Sequence, residues 1–400
     1  MSYLKKPQRV WWRRALFQAH LWTGMVLGLY LIVIGVTGSL LVFKGELAAL
    51  TYPKLLHSEL QSTEPIDLAG FVANAKGTFP DFRLVSAFVP GIYGETYFAY
   101  MEGSGGAELY VFGDKDCRVL GSLDVEKSWL NWVAELHFRL FAGQTGFIVN
   151  GIGAACLVGL CLTGMVLWWP GIRTWRRALT IHFRKSWRRI NFDLHSAVGF
   201  WTASLVFLWA ISGVYFVWPK AFERVVNSFS SVRAAVEPEY HIASGNQAPQ
   251  ASLPAILAEA ACAAPETRLS GFYIPSDGKT AMTVYQARGD IRNFSEMDHV
   301  YFDPSDGRQL GIWHAGVNPT VGSKLVYWLG PLHFGVYWGL GVKIIWALLG
   351  LSLPALTVTG AVMYWNRSLS KLWSKWRSRK SALIAQVCAG ERLEEPGSSQ

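Results

Sequence analysis

A histidine-led apolar stretch occurs twice in this chain, and that repetition restricts the possible folds more than any other feature. His20 is followed by Leu-Trp-Thr-Gly and an apolar run that passes Gly38 and closes at Phe43. His195 is followed by Ser-Ala-Val-Gly and a second run that passes Gly213 and ends at Trp218-Pro219. A shift of 175 positions carries His20 onto His195, Gly24 onto Gly199 and Gly38 onto Gly213. In both copies 18 residues separate the histidine from the distal glycine, or five turns of a helix at about 3.6 residues per turn. Histidine and glycines therefore share one helical stripe. A histidine above a glycine-cleared face is what a flat, bulky macrocycle needs.

The repeat extends further. Leu136-His137-Phe138 matches Leu332-His333-Phe334, Thr163-Gly164 matches Thr359-Gly360, and Trp132 matches Trp328, all at an offset of 196. Arg118, Leu120 and Gly121 match Arg308, Leu310 and Gly311 at an offset of 190. The chain thus reads as two copies of one unit: a His-led helix, an external lobe, and a second His-led helix. Duplicated membrane proteins commonly place a shared site at the repeat interface.

Four runs are long enough to cross a hydrocarbon core of about 30 Å. The expected organisation is a basic cytoplasmic N-terminus (1–20), spans at 21–43, 147–169, 197–218 and 343–365, external lobes at 46–143 and 220–342, a basic cytoplasmic loop at 170–194 and a cytoplasmic tail at 366–400. A 51% hydrophobic, 16% charged composition agrees with this. The net charge of +9 gathers in three clusters. These are Lys5, Lys6, Arg9, Arg13 and Arg14; Arg173 to Arg189; and Arg367 to Lys380. The positive-inside rule puts all three in the cytoplasm and the lobes outside. Short basic flanks pinned to a membrane point to lipid headgroups, not to nucleic acid. Past Lys380 the tail is polar and reads as disordered.

Each lobe reads as a small α+β unit. Strands are expected at Val85–Val89, Thr96–Tyr100 and Glu108–Phe112, then at Gly271–Ile274, Ala281–Tyr285 and His299–Asp303, with a helix at Pro249–Ala264. The fold class is a four-transmembrane-helix bundle built by internal duplication, carrying two external α+β lobes.

Two neutral imidazoles can occupy both axial positions of a haem iron. One reading of the repeated histidines is two bis-histidine b-type haems, His20 with His195 near the inner face and His137 with His333 near the outer. The other is interfacial histidines bonded to backbone or lipid. His137 and His333 lie about ten residues, roughly 15 Å of helix, before the strongly apolar runs, which makes the outer pair the harder to place. Gly24 and Gly199 would clear space beside the inner pair, although glycines also let membrane helices approach closely. Lys343 and Arg139 are candidates for a haem propionate, with snorkelling the alternative for Lys343. No Cys-x-x-Cys-His is present, so covalent haem attachment is excluded. A Cys117–Cys262 disulfide is disfavoured because the lobes read as separate domains. His57, His182, His241, His299 and His314 lack repeat partners and read as surface residues.

This duplicated pattern, in His20–Gly38, His195–Gly213, His137 with Thr163-Gly164, and His333 with Thr359-Gly360, resembles the PepSY-associated transmembrane helix family of bacterial inner membranes. The turn Val300-Tyr-Phe-Asp-Pro-Ser-Asp-Gly-Arg-Gln-Leu-Gly is similar to the closing hairpin of a PepSY lobe. The resemblance to FoxB-like ferrisiderophore reductases implies a di-haem b oxidoreductase that reduces a periplasmic Fe(III)–siderophore and releases its iron. No dinucleotide fingerprint is present, so a quinol or a partner reductase would supply electrons. The alternatives are a non-redox, membrane-anchored module that binds a peptide or peptidase, and a siderophore or small-solute transporter.

Overall fold

The computed structural model describes residues 11–57, 66–232, 238–242, 251–291, 296–317, 320–335, 338–370 and Trp373. Lys5, Lys6, Arg9, Cys388 and the polar tail lie outside the described residues. By internal contact the chain divides into two compact units. One comprises residues 1–36, 156–207 and 349–400; the other comprises 37–155 and 208–348.

Helices α1 (Trp12–Val26) and α2 (Gly28–Leu41) are followed by the short α3 (Lys44–Thr51) and α4 (Pro53–Leu56). Helix α5 (Leu68–Thr78) leads into β1 (Phe82–Phe88), β2 (Tyr97–Gly103), β3 (Glu108–Gly113) and β4 (Val119–Asp124). Then come α6 (Trp129–Arg139), α7 (Gly143–Trp168), α8 (Trp187–Val217) and α9 (Pro219–Asn227). The second lobe has α10 (Leu253–Ala263), β5 (Arg268–Tyr273), β6 (Met282–Ala287), β7 (Met297–Phe302) and β8 (Gln309–His314). Helices α11 (Val321–Phe334), α12 (Gly339–Gly350) and α13 (Ser352–Tyr364) follow, and a π-helical turn at Trp365–Leu369 ends the described chain.

Among the described residues, three helical stretches, Gly143–Trp168, Trp187–Val217 and Gly339–Leu369, are long and apolar enough to cross a membrane. The expected first span is instead a pair: α1 and α2 pass that test together but are bent by 64° at Leu27. The count is therefore four only if the bent pair is one span. Each of the other helices begins before its apolar run. His20 and His195 consequently do not open their helices; each is the ninth residue of one.

The second unit contains the largest departure from the sequence reading. All eight strands form one antiparallel sheet, ordered β4-β3-β2-β1-β5-β6-β7-β8. The lobes are not separate domains: β1 and β5 pair across the middle, with Ser86 opposite Tyr273, Ala87 opposite Phe272 and Phe88 opposite Gly271. Strands β4 and β8, which are not among the six strands expected, although the closing hairpin read over 300–311 reaches into β8, form the two edges. Alternation divides the sheet into two faces. One buries Met101, Val111, Phe272, Met282, Val284, Val300 and Phe302 under α5 and α10. Helix α5 presents Leu68, Phe71, Val72 and Ala75, an i, i+3, i+4, i+7 stripe, and its first turn is capped by the Asp67 carboxylate, which accepts from Gly70 N at 2.8 Å. Each large side chain so buried contributes about 1.5–3 kcal/mol. The other face carries Phe88, Phe98 and Phe112 beneath Leu55 and Leu56. Cys117 and Cys262 are free thiols.

Two left-handed reversals explain the outer histidines. Helix α6 stops at Leu140 (φ 50°) and Phe141 (φ 57°) before α7 begins. Helix α11 stops at Gly335 (φ 63°), where a Cβ would run into the Trp346 ring. His137 and His333 therefore occupy the last turns of separate short helices. They are not ten residues up the axis of a span.

Candidate cofactor site

The first unit encloses a cavity of about 850 Å³, within the roughly 300–1,000 Å³ typical of cofactor sites. His20 and His195 both line it, as do Gly24, Gly28, Gly199 and Gly360. The two histidines and two flanking glycines singled out in the sequence, Gly24 and Gly199, thus line one space. The two imidazoles are close enough to interact electrostatically.

What holds these rings is a hydroxyl from another helix. His20 Nδ1 lies 3.0 Å from Thr163 Oγ1 on α7, and His195 Nδ1 lies 3.0 Å from Thr359 Oγ1 on α13. The Thr163 hydroxyl donates its proton to Gly159 O at 2.7 Å, and that of Thr359 donates to Ala355 O at 2.7 Å. Each hydroxyl therefore has only lone pairs to offer the histidine, and each Nδ1 is the protonated nitrogen. His195 Nδ1 also lies 3.0 Å from Leu356 O, which can only accept. The Nε2 lone pairs are left for a ligand. An ordered donor–acceptor chain that fixes the tautomer is the usual support for a metal-binding histidine.

The residue after each threonine is a glycine with a steric task. A Cβ at Gly164 would come within 3.2 Å of His20 Cε1, and one at Gly360 within 3.3 Å of His195 Cε1. Asn191, itself buried, donates Nδ2 to Thr359 O at 2.9 Å and fixes that turn of α13.

The second unit repeats the device. His137 Nδ1 lies 2.9 Å from Thr37 Oγ1, and a Cβ at Gly38 would meet His137 Cε1 at 3.0 Å. His333 Nδ1 lies 2.6 Å from Ser212 Oγ, which donates to Leu208 O at 3.0 Å. The Leu332 carbonyl beside it accepts from Trp209 Nε1 at 3.3 Å and Trp346 Nε1 at 2.9 Å. Every one of the four histidines thus meets a hydroxyl-bearing residue followed directly by glycine: Thr163-Gly164, Thr359-Gly360, Thr37-Gly38 and Ser212-Gly213. The outer rings pack among aromatics, with Phe216 edge-on to His333 at 5.2 Å.

The expected propionate partners are engaged elsewhere. Lys343 Nζ pairs with Glu46 Oε1 at 2.6 Å, and Arg139 Nη1 pairs with Glu135 Oε1 at 3.1 Å. His182 is not an ordinary surface residue either. Its Nδ1 lies 3.0 Å from the buried Asp193 carboxylate, which also takes Arg189 Nε at 2.8 Å. His314 and Arg288 share Asp298 at 2.8 and 2.6 Å in the sheet. Gly35 and Gly151 follow the close-packing alternative. A Cβ at Gly35 would meet Pro354 at 2.7 Å, and one at Gly151 would meet Val217 at 2.8 Å.

Among the described residues no three His, Cys, Asp or Glu side chains converge on a bare cation. Two imidazoles lining one apolar cavity with several glycines would suit instead a flat group that carries its own metal.

No curated protein matches the chain. The model of the PepSY-associated TM region matches residues 17–367, a stretch that takes in all four histidines and both lobes. The chain belongs to the PepSY-associated TM region family.

Proposed function

We propose that this protein is a di-haem b oxidoreductase of the bacterial inner membrane, carrying electrons outward to reduce Fe(III)–siderophore in the periplasm. The carrying observation is the fourfold recurrence of a hydroxyl on histidine Nδ1, joined in three of the four by a glycine against the ring, Gly164, Gly360 and Gly38. His20 and His195 would present Nε2 to the inner haem, and His137 and His333 to the outer. Bound haem supplies a reversible one-electron couple. Thr163, Thr359, Thr37 and Ser212 hold the rings, Gly164 and Gly360 leave them room, and the apolar walls keep water from the inner site. A siderophore holds Fe(III) far more tightly than Fe(II), so gain of one electron releases the metal as Fe(II). Electrons enter from a quinol or a partner reductase. The basic clusters support a bundle with both termini in the cytoplasm and the sheet outside.

The test is a dithionite-reduced minus oxidised optical spectrum of the purified protein, with haem quantified per chain. Two non-covalent b-type haems, reoxidised by a ferric siderophore, are expected. Protein from a haem-replete host that carries none would overturn the reading. An open groove beside edge strand β4, lined by Asn74, Arg118 and Gly121, favours the second reading, a non-redox module that binds an extended peptide.

A further inference from the structure

The inner cavity has one permanently charged residue among its described lining residues, and its ligand has not been accounted for. That residue is Arg367, on the π-helical turn Trp365–Leu369. Turns of this kind are rare and cluster at functional sites. Its guanidinium lies 4.9 Å from the ring centroid of Phe17, which also lines the cavity. Stacked on a ring, a guanidinium still directs its coplanar N–H donors outward. Two other cations of this unit are occupied. Arg13 donates to Val166 O at 3.1 Å, to Trp169 O at 3.3 Å and to Leu167 O, and Arg189 is held by Asp193. Arg367 makes no ion pair with a described residue. The repeat does not supply a second copy: the offset of 196 that relates Thr359-Gly360 to Thr163-Gly164 puts Gly171 opposite Arg367.

We propose that Arg367 binds a carboxylate on the rim of the flat group seated between His20 and His195, and so fixes which edge of that group faces the cavity mouth. The proposal rests on the haem reading, in which the carboxylate is a propionate. Gln18, Tyr364 and Ser368 also line the cavity and can complete the hydrogen bonds of a second oxygen. Arg139 and Lys343, the cations first considered, belong to the second unit, and the sequence reads Arg367 only as a topology signal.

The experiment compares haem with haem dimethyl ester, which keeps the ring and iron but has no carboxylate. Full-length protein is stripped and reloaded with each, and loss to a haem-scavenging apoprotein is followed spectrally. Wild type should show one phase in which haem leaves at least about tenfold more slowly than its ester, the scale of one charge-assisted bond. Arg367→Gln should abolish that difference by accelerating haem alone, and Arg367→Lys should restore part of it. Discrimination that survives Arg367→Gln overturns the proposal while leaving the haem reading intact. Discrimination that disappears only when anionic lipid is added reassigns Arg367 to a headgroup phosphate. Failure of wild type to take up either pigment overturns the haem reading itself.

Discussion

Gly271 stands directly opposite Phe88 where β5 meets β1, and a Cβ on that glycine would run into the Phe88 ring and the Ala87 carbonyl. A buried ring and a backbone carbonyl cannot retreat cheaply. Gly271→Ala should therefore destabilise the sheet by about 1–3 kcal/mol, seen as a lower unfolding midpoint and earlier proteolysis in both lobes. Gly77→Ala in α5, with nothing within 4 Å, should be neutral or stabilising by up to about 1 kcal/mol. Equal behaviour of the two variants would contradict the seam described above.

Gly164→Val should cost the chain one haem, because its Cβ starts 3.2 Å from His20 Cε1 and its branches have nowhere else to go. Gly159→Val, one turn away with open space around it, should retain both. Haem per chain by pyridine haemochrome measures this directly.

Thr359→Val keeps the shape of the side chain and removes one of the two acceptors of His195 Nδ1–H. The imidazole becomes a weaker donor to iron, so the inner couple should rise by roughly 20–60 mV, at most about tenfold in equilibrium at about 59 mV per decade. Redox titration of the variant decides it. An unmoved potential with unchanged haem content would show that Leu356 O alone orients the ring.

Lys343→Met should leave haem content unchanged, since the ammonium is paired with Glu46. Glu46→Gln should cost as much stability as Lys343→Met. The double variant should recover about 0.5–1 kcal/mol, as expected for a pair only partly shielded from solvent. Haem loss in Lys343→Met alone would return that residue to the cofactor.

Burial, with the Asp67 charge adding to it, pushes the Cys117 thiol up from its ordinary value. A raised thiol pKa means less thiolate at pH 8, so Cys262, which is exposed, should react with a maleimide at least about tenfold faster. The Cys117 rate should still climb as pH is raised above the ordinary thiol range. Using an impermeant maleimide on whole cells also tests whether the sheet lies outside the membrane.

Much of the candidate site was legible because its pattern recurs in the sequence. His20 and His195 stand out less for being histidines than for recurring with the same glycines. The hydroxyls were half legible. Thr163 and Thr359 recur as identical residues, whereas Thr37 and Ser212 make the same bond with different side chains, which a search for identity passes over. The ion pair of Lys343 with Glu46 joins residues 297 positions apart, and nothing local to either announces it. Hydropathy says how deep a segment sits and is silent on which way its axis points, so the 64° bend after Val26 leaves no mark. Strands β4 and β8 carry Gly121 and Gly311 and bury little on either side, so their alternation is faint. The union of the lobes was hidden for another reason: a partner strand in a sheet is chosen through backbone groups that every residue carries.

The antiparallel junction of β1 with β5 has a consequence for the exposure of strand edges. Antiparallel pairing of like edges is what a two-fold axis generates. A half-length chain with one lobe would expose β1, or its counterpart β5, as a bare row of amide donors and acceptors. Two such halves would satisfy each other by meeting edge to edge, so a single repeat is self-complementary. In this chain the two lobes satisfy each other within one polypeptide, through β1 and β5.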